Sequence, residues 1–392
     1  MKVDFLGNAY LVLRKEVLDA LRDRRTLLRL LAPAILMGPL LLLAVSAMIS
    51  SIEERAERRE VMAVGMEHAP TLRNYLERQT YTIQNAPQDY EARLRATTLL
   101  VPVLVIPADF ETVLARGQRP TVELVSDSAN QRASSGLPGL QRLLLGFNRE
   151  RAAITMALRG VSTDLLQPVA FEERDLASAQ ARATRITSII PMFIIMAVLY
   201  GALTSALDST AGERERGSLE PLLMNPVQPM ALVLGKWGAV VLLGMVVALI
   251  ATVSFIPAQW LIKSDSLQAM FQFGASEMLA FLLLQLPLAA ASGALLMALA
   301  IQSKTFKEAQ AGSTLVITLV ALSPMVSVLN PGGDAAWYLW VPGLAQNTLM
   351  ILVLKGEAVT LAKLLPGIVV GAMLTLGSLA YVARTMRRAV AR

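Results

Sequence analysis

Six stretches of this chain run for about 20 residues with almost no charge, the length at which a helix rising 1.5 Å per residue crosses a hydrocarbon core of roughly 30 Å. They are Leu30 to Ile52, Ile186 to Leu207, Leu232 to Phe255, Met278 to Ile301, Ala311 to Leu329 and Leu364 to Ala383. Of the 392 residues, 54% are hydrophobic and 17% charged, which takes the chain out of the soluble range and predicts a polytopic membrane protein.

Basic residues fix the orientation. With the N-terminus inside, the cytoplasmic segments hold 16 Lys and Arg, whereas the short outer loops hold Lys263, Lys355 and Lys363. The positive-inside rule therefore predicts both termini in the cytoplasm of a bacterial cell, with the chain multi-pass in the inner membrane. Trp237 and Trp260 bracket the third span about 34 Å apart, as two interfacial rings would. Trp337, Tyr338 and Trp340 mark the outer interface again.

Between Ser51 and Arg185 the chain changes character, with 17 basic and 17 acidic residues. The net charge of +6 thus comes from the membrane flanks, which argues against nucleic acid as a partner. Strand-like runs (Val61 to Gly65, Val101 to Ile106, Thr121 to Ser126) alternate with helical patterns (Thr71 to Gln79, Gln88 to Thr97, Phe110 to Ala115, Leu140 to Leu158). The fold class expected is an α-helical polytopic membrane protein of six transmembrane helices with an inserted extracytoplasmic α/β domain. In residue ranges this gives an amphipathic interface helix in 1–29, the first span in 30–52, the inserted domain in 53–185, and five further spans in 186–392. Glu53 to Glu60 reads as a helical stalk continuing the first span. The first apolar run is full length and preceded by nearly thirty residues, so it reads as an uncleaved anchor rather than a signal peptide.

Ahead of the first span, Tyr10, Leu13, Val17 and Leu21 recur at helical spacing with charges opposite, the pattern of a helix lying along the membrane surface. Residues 330–363 are apolar but broken by Pro331, Pro342 and Gly343, which predicts short re-entrant or interfacial helices at the outer face.

The densest polar block in the membrane half is 208–229. Glu213, Arg214, Glu215 and Arg216 alternate in sign, and Ser218 can cap a short helix with Leu219, Leu222 and Leu223 on an apolar face. The run Ala211-Gly-Glu-Arg-Glu-Arg-Gly-Ser-Leu-Glu-Pro-Leu-Leu-Met-Asn-Pro226 resembles the signature of the type 2 ABC exporter permeases, in particular the NatB-like branch associated with sodium extrusion. Glu16 to Leu27, Ser303 to Gln310 and Val341 to Glu357 resemble the same family. The resemblance implies a coupling helix in 208–229 that docks a separate ABC ATPase subunit. Glu213, Arg214, Glu215, Arg216, Ser218 and Glu220 would supply its polar contacts, and Leu219, Leu222 and Leu223 its apolar ones. It also implies a second permease copy, as homodimer or related heterodimer, with ATP and Mg bound only through the partner. The first helix would share in the ATPase contact.

The chemistry of the residues agrees with an energy source elsewhere. Gly235-Lys236 is followed by Trp237 and preceded at the required distance by Met230, so no phosphate-binding loop forms and no catalytic residue is assigned. Cysteine is absent and His68 is the sole histidine, which leaves no thiolate or histidine metal site. Thr187, Ser188, Thr204, Gln285, Thr314 and Thr318 are the candidate substrate path, since their oxygens can hold a cation or bridge helices; Ser205 and Ser292 are similar. Na+ is the substrate implied by the branch resembled. A drug, peptide or lipid is the alternative cargo, and a membrane-anchored sensor with an outer ligand-binding domain is the alternative from another class.

Overall fold

The computed structural model describes residues 5–57, 59–166, 169, 174, 176–218, 221, 227–262, 273–330 and 335–390. The chain divides into two compact units, one made of Met1–Ser50 with Leu176–Arg392 and the other of Ser51–Asp175. It opens with helix α1 (Phe5–Arg22) and continues as α2 (Arg24–Glu57), which carries the first apolar span and runs on into the stretch expected as a stalk.

The Ser51–Asp175 unit is built on a four-stranded sheet of order β2-β1-β3-β4. Strands β1 (Glu60–Val64), β2 (Thr82–Asn85) and β3 (Val103–Val105) are parallel, while β4 (Glu123–Val125) runs antiparallel to β3. The two parallel crossovers contain α3 (Pro70–Arg78) and α4 (Tyr90–Arg95), and α5 (Phe110–Ala115), α6 (Gln131–Ser134) and α7 (Leu137–Leu158) complete the unit. Side-chain alternation along β1 feeds two cores. Val61 and Ala63 join Leu72, Leu76 and Phe147 on one face, while Met62 and Val64 join Leu94 and Ala133 on the other. Strand β2 is the element that sequence patterning misses, because Thr82, Gln84 and Asn85 are exposed at the sheet edge and leave no apolar alternation to read. His68 is exposed, as expected of a surface residue.

The remainder is helical: α8 (Ala179–Thr187), α9 (Ile189–Leu207), α10 (Glu213–Glu215), α11 (Pro229–Ala258), α12 (Ala275–Ala300), α13 (Phe306–Leu322), α14 (Met325–Leu329), α15 (Leu344–Leu354) and α16 (Leu361–Val390). Among the described residues, five helical stretches are long and apolar enough to cross a membrane: Leu30–Ser50, Ile189–Glu215, Pro229–Leu261, Ala275–Ala300 and Leu361–Arg388. The remaining expected span is divided. α13 has 17 residues, about 25 Å at 1.5 Å each, and Ser323-Pro324 separates it from α14. Ala336–Trp340 is a 3-10 turn and α15 has only 11 residues, mostly buried, which matches the broken pattern of that region. Tyr338 departs from the expected aromatic ring: it is wholly buried and its hydroxyl accepts a hydrogen bond from Asn330 (2.8 Å), while Trp337 and Trp340 stay exposed.

α9, α11, α12 and α16 form the main core through Leu199, Leu203, Val240, Leu296, Met297 and Val382. Lipid tails are as apolar as leucine, so contact between spans depends on close packing more than on escape from water. Gly201 and Gly244 provide it at the α9–α11 crossing, where a Cβ on Gly201 would lie 3.1 Å from the Gly244 Cα and 3.1 Å from the Val247 Cβ. Gly201→Leu should therefore force the two helices apart and cost about 1–3 kcal/mol, the usual range for overpacking. Thermal unfolding of the purified protein in detergent measures this, and an unchanged midpoint would show that the crossing is looser than described.

Candidate functional site

The polar block begins inside the second span. α9 does not stop at Asp208; it passes through one π-helical turn, Asp208–Gly212, into α10. Such turns carry one extra residue and concentrate at functional positions. Ser209, Thr210, Ala211, Gly212 and Glu213 are all buried. Glu213, which the resemblance makes a polar contact to a partner, is itself only 6% exposed.

The burial of Glu213 is matched by a lysine. Lys236, the single charge in α11, is 0% exposed and donates to Glu213 Oε2 at 2.6 Å and to Glu16 Oε1 at 2.7 Å. Lys15 closes the cluster, reaching Glu213 Oε1 at 2.9 Å, Glu16 at 3.1 Å and Asp19 at 3.5 Å. Burial lowers the pKa of Lys15, but its hydrogen bond to Glu213 and the nearby charge of Glu16 outweigh that effect and raise it above the ordinary lysine value. A raised lysine pKa gives stability that is complete below the unfolded value and lost only as pH climbs through the folded one, so this pairing is intact at neutral pH.

Glycine lets α1 come close enough to supply its half of the cluster. A Cβ on Gly235 would sit 2.6 Å from the Ala9 carbonyl and 2.6 Å from the Val12 Cβ. Hence the face of α1 turned toward α11 is Ala9, Val12, Leu13 and Glu16, at helical spacing. Of the face expected from hydropathy, Tyr10 and Leu21 stay exposed.

Arg214, Glu215 and Arg216 also have internal partners. Arg214 donates to the carbonyls of Ile301 (2.9 Å) and Ser303 (3.3 Å) just beyond α12. Glu215 accepts from the Phe306 amide (2.7 Å), a carboxylate at the positive end of α13. Arg216 turns back to the Asp208 carbonyl (3.2 Å), and the Ser218 hydroxyl donates to the Glu213 carbonyl (3.2 Å). Three successive side chains, Glu213, Arg214 and Glu215, thus tie the end of α9 to α1, α11, the α12 terminus and α13. Leu219, Glu220, Leu222 and Leu223 lie outside the described residues. Lys15, Glu16 and Lys236 escaped the sequence reading, although a lone lysine within an otherwise uncharged 30-residue helix was the available signal.

The proposed substrate path does not assemble as one set. Thr204 lines a cavity and donates to the Tyr200 carbonyl (3.2 Å). Thr187 is buried at the end of α8, and Ser188 joins α8 to α9. Gln285 is fully buried, with its amide nitrogen 3.3 Å from the Met350 sulfur. Thr318 is exposed and donates to the Thr314 carbonyl (2.8 Å), on a face of α13 shared with the exposed Leu315. Two adjoining cavities are better defined. One, of 390 Å³, is lined by Lys15, Glu16, Asp19, Asp23, Glu213 and Arg216 among others. The second, of 740 Å³, lies among α2, α9, α11 and α13, and both include Leu30, Thr204 and Asp208.

The sequence of these elements is matched from residue 29 to 383 by the model of the ABC-2 family transporter protein. The chain belongs to the ABC-2 transporter family. It is also 27% identical over 353 residues to the ABC transporter permease protein NatB of Bacillus subtilis (strain 168), covering 88% of this chain and 89% of that relative. The match carries the second span, the charged block and the broken helices around α15 into an ABC-2 framework, and makes this chain a membrane-embedded permease of that type.

A charge removed from the Lys236 cluster should cost more than a surface charge. Glu213→Gln is expected to destabilise the protein by about 3–5 kcal/mol, the range for breaking a buried pair, while adding Lys236→Met recovers part of that loss. Thermal unfolding of the two single variants and the double variant measures the coupling; strictly additive losses would mean that the two side chains do not interact.

Proposed function

We propose that the chain is the permease subunit of an ATP-driven exporter that moves a cation, Na+ among them, out across the bacterial inner membrane. The observation that carries this reading is the wiring of the block after α9. A push on Glu213–Ser218 from the cytoplasmic side is delivered at once to α1, α11, the α12 terminus and α13, as a coupling element requires. In this reading α13 with α14 makes a sixth crossing, both termini are cytoplasmic, and Ser51–Asp175 lies outside. A separately encoded ABC ATPase binds ATP and Mg, and two permease copies, identical or related, form the pathway. The acidic lining of the smaller cavity supports a positively charged cargo.

Because no phosphate-binding loop exists in the sequence, the purified chain alone should hydrolyse no ATP, and co-expression with its ATPase should restore hydrolysis and co-purification. Robust hydrolysis by preparations proven free of other subunits would sink the permease assignment. Topology is tested by single cysteines, which the native chain lacks. Gln118→Cys should react with a membrane-impermeant maleimide in spheroplasts, and Ser218→Cys only after the membrane is opened. Equal labelling of both would overturn the orientation.

A further inference from the structure

The cavity shared by α2, α9, α11 and α13 has a chemical polarity that bears on cargo. Its volume of 740 Å³ falls within the range of small-molecule sites, about 300–1,000 Å³. Phe193, Tyr200, Phe255, Phe306, Met37 and Met196 make up much of its wall, and among the described residues no Lys, Arg or His lines it. Among the described residues Asp208 is its single ionisable group apart from the Tyr200 phenol, and it marks the junction with the acidic cavity. Among the described residues, no hydrogen bond or salt bridge engages the Asp208 carboxylate. The nearest base acting on it, Arg216, is hydrogen-bonded to its backbone carbonyl, and Asp23 adds negative charge from the adjoining cavity.

These features discriminate between cations. A bare alkali ion entering here would give up its hydration shell to hydrocarbon walls, a loss that one carboxylate and a few neutral oxygens do not offset. A large organic cation carries a diffuse, weakly hydrated charge and gains from burying its apolar body. Aromatic faces add attraction for such a charge. A carboxylate near the end of an apolar span, with no hydrogen bond or salt bridge among the described residues, is itself a mark of function.

We propose that this cavity binds an amphipathic organic cation, with its charged centre at Asp208 and its apolar body against Phe193, Tyr200 and Met37. The inference rests on the permease reading and, for this cavity, puts an organic cation in the place of Na+ as cargo. Acidic side chains outnumber basic ones along the adjoining cavity, which favours a cation at the shared opening at Thr204 and Asp208.

The test uses the full-length purified protein and rhodamine 6G, followed by fluorescence anisotropy, with tetraphenylphosphonium as cationic competitor and triphenylphosphine oxide as an uncharged one. Wild type should bind saturably and release the dye to tetraphenylphosphonium but not to the uncharged compound. Asp208→Asn should weaken binding at least tenfold, Asp208→Glu should retain it, and Ala197→Trp, which fills the cavity, should abolish it. Should Asp208→Asn fail to fold, the filled-cavity variant and the glutamate variant decide. Equal binding by the asparagine variant, equal displacement by the uncharged compound as in a lipid-filled groove, or cross-linking of two copies through Ala197→Cys would each overturn the proposal. Co-purification of the ATPase with wild type is scored separately: its retention without dye binding defeats this inference alone, while its loss defeats the permease reading.

Discussion

Lys236 is the interaction on which the membrane unit depends. An ammonium with no exposed surface, set within an apolar span, is tolerated only when paired, since the desolvation of a lone buried ion costs several kcal/mol. Its two carboxylates come from different places, Glu16 on α1 and Glu213 after the π turn, so losing either element removes one of the lysine's two partners. Gly235, the residue before the lysine, is what allows α1 to approach. The N-terminal helix is therefore part of the membrane unit's charge balance and is more than a surface anchor.

The same cluster organises the C-terminal end of the second span. A family match over residues 29–383 places this chain among the ABC-2 transporters, and the match begins after α1. Yet α1 supplies two of the four charged groups at the centre of the cluster, Lys15 and Glu16. Physical dependence thus extends past the boundary of the recognised family region. Arg214 and Glu215 extend it in the other direction, to the end of α12 and the start of α13.

Much of this was legible in residue pattern. Uniformly apolar runs gave five helices within a few residues, because a span hydrophobic all round leaves no competing periodicity. Phe110–Ala115 was found at its observed limits, with Asp109 before it and Arg116 after. What failed shares one cause: the decisive partner lay on a different element of the fold. Glu213 looks solvated beside three other charges, and only Lys236 and Lys15, the latter 198 residues away, make it a buried anion. Tyr338 looks interfacial between two tryptophans until Asn330 meets its hydroxyl. The polar edge strand β2 needs β1 beside it to be a strand at all.

The π turn at Asp208–Gly212 has a consequence for how the charges are addressed. α9 sets one angular phase for the second span, and an added residue shifts the phase of everything after it by about 100°, the angle of one residue in an α-helix. Glu213, Arg214, Glu215 and Arg216 are therefore aimed by a backbone count upstream of them as much as by their own order. Deleting a single residue from the turn would keep all four charges in sequence and redirect every one, in the way that slipping a gear by one tooth leaves the teeth unchanged and the timing wrong.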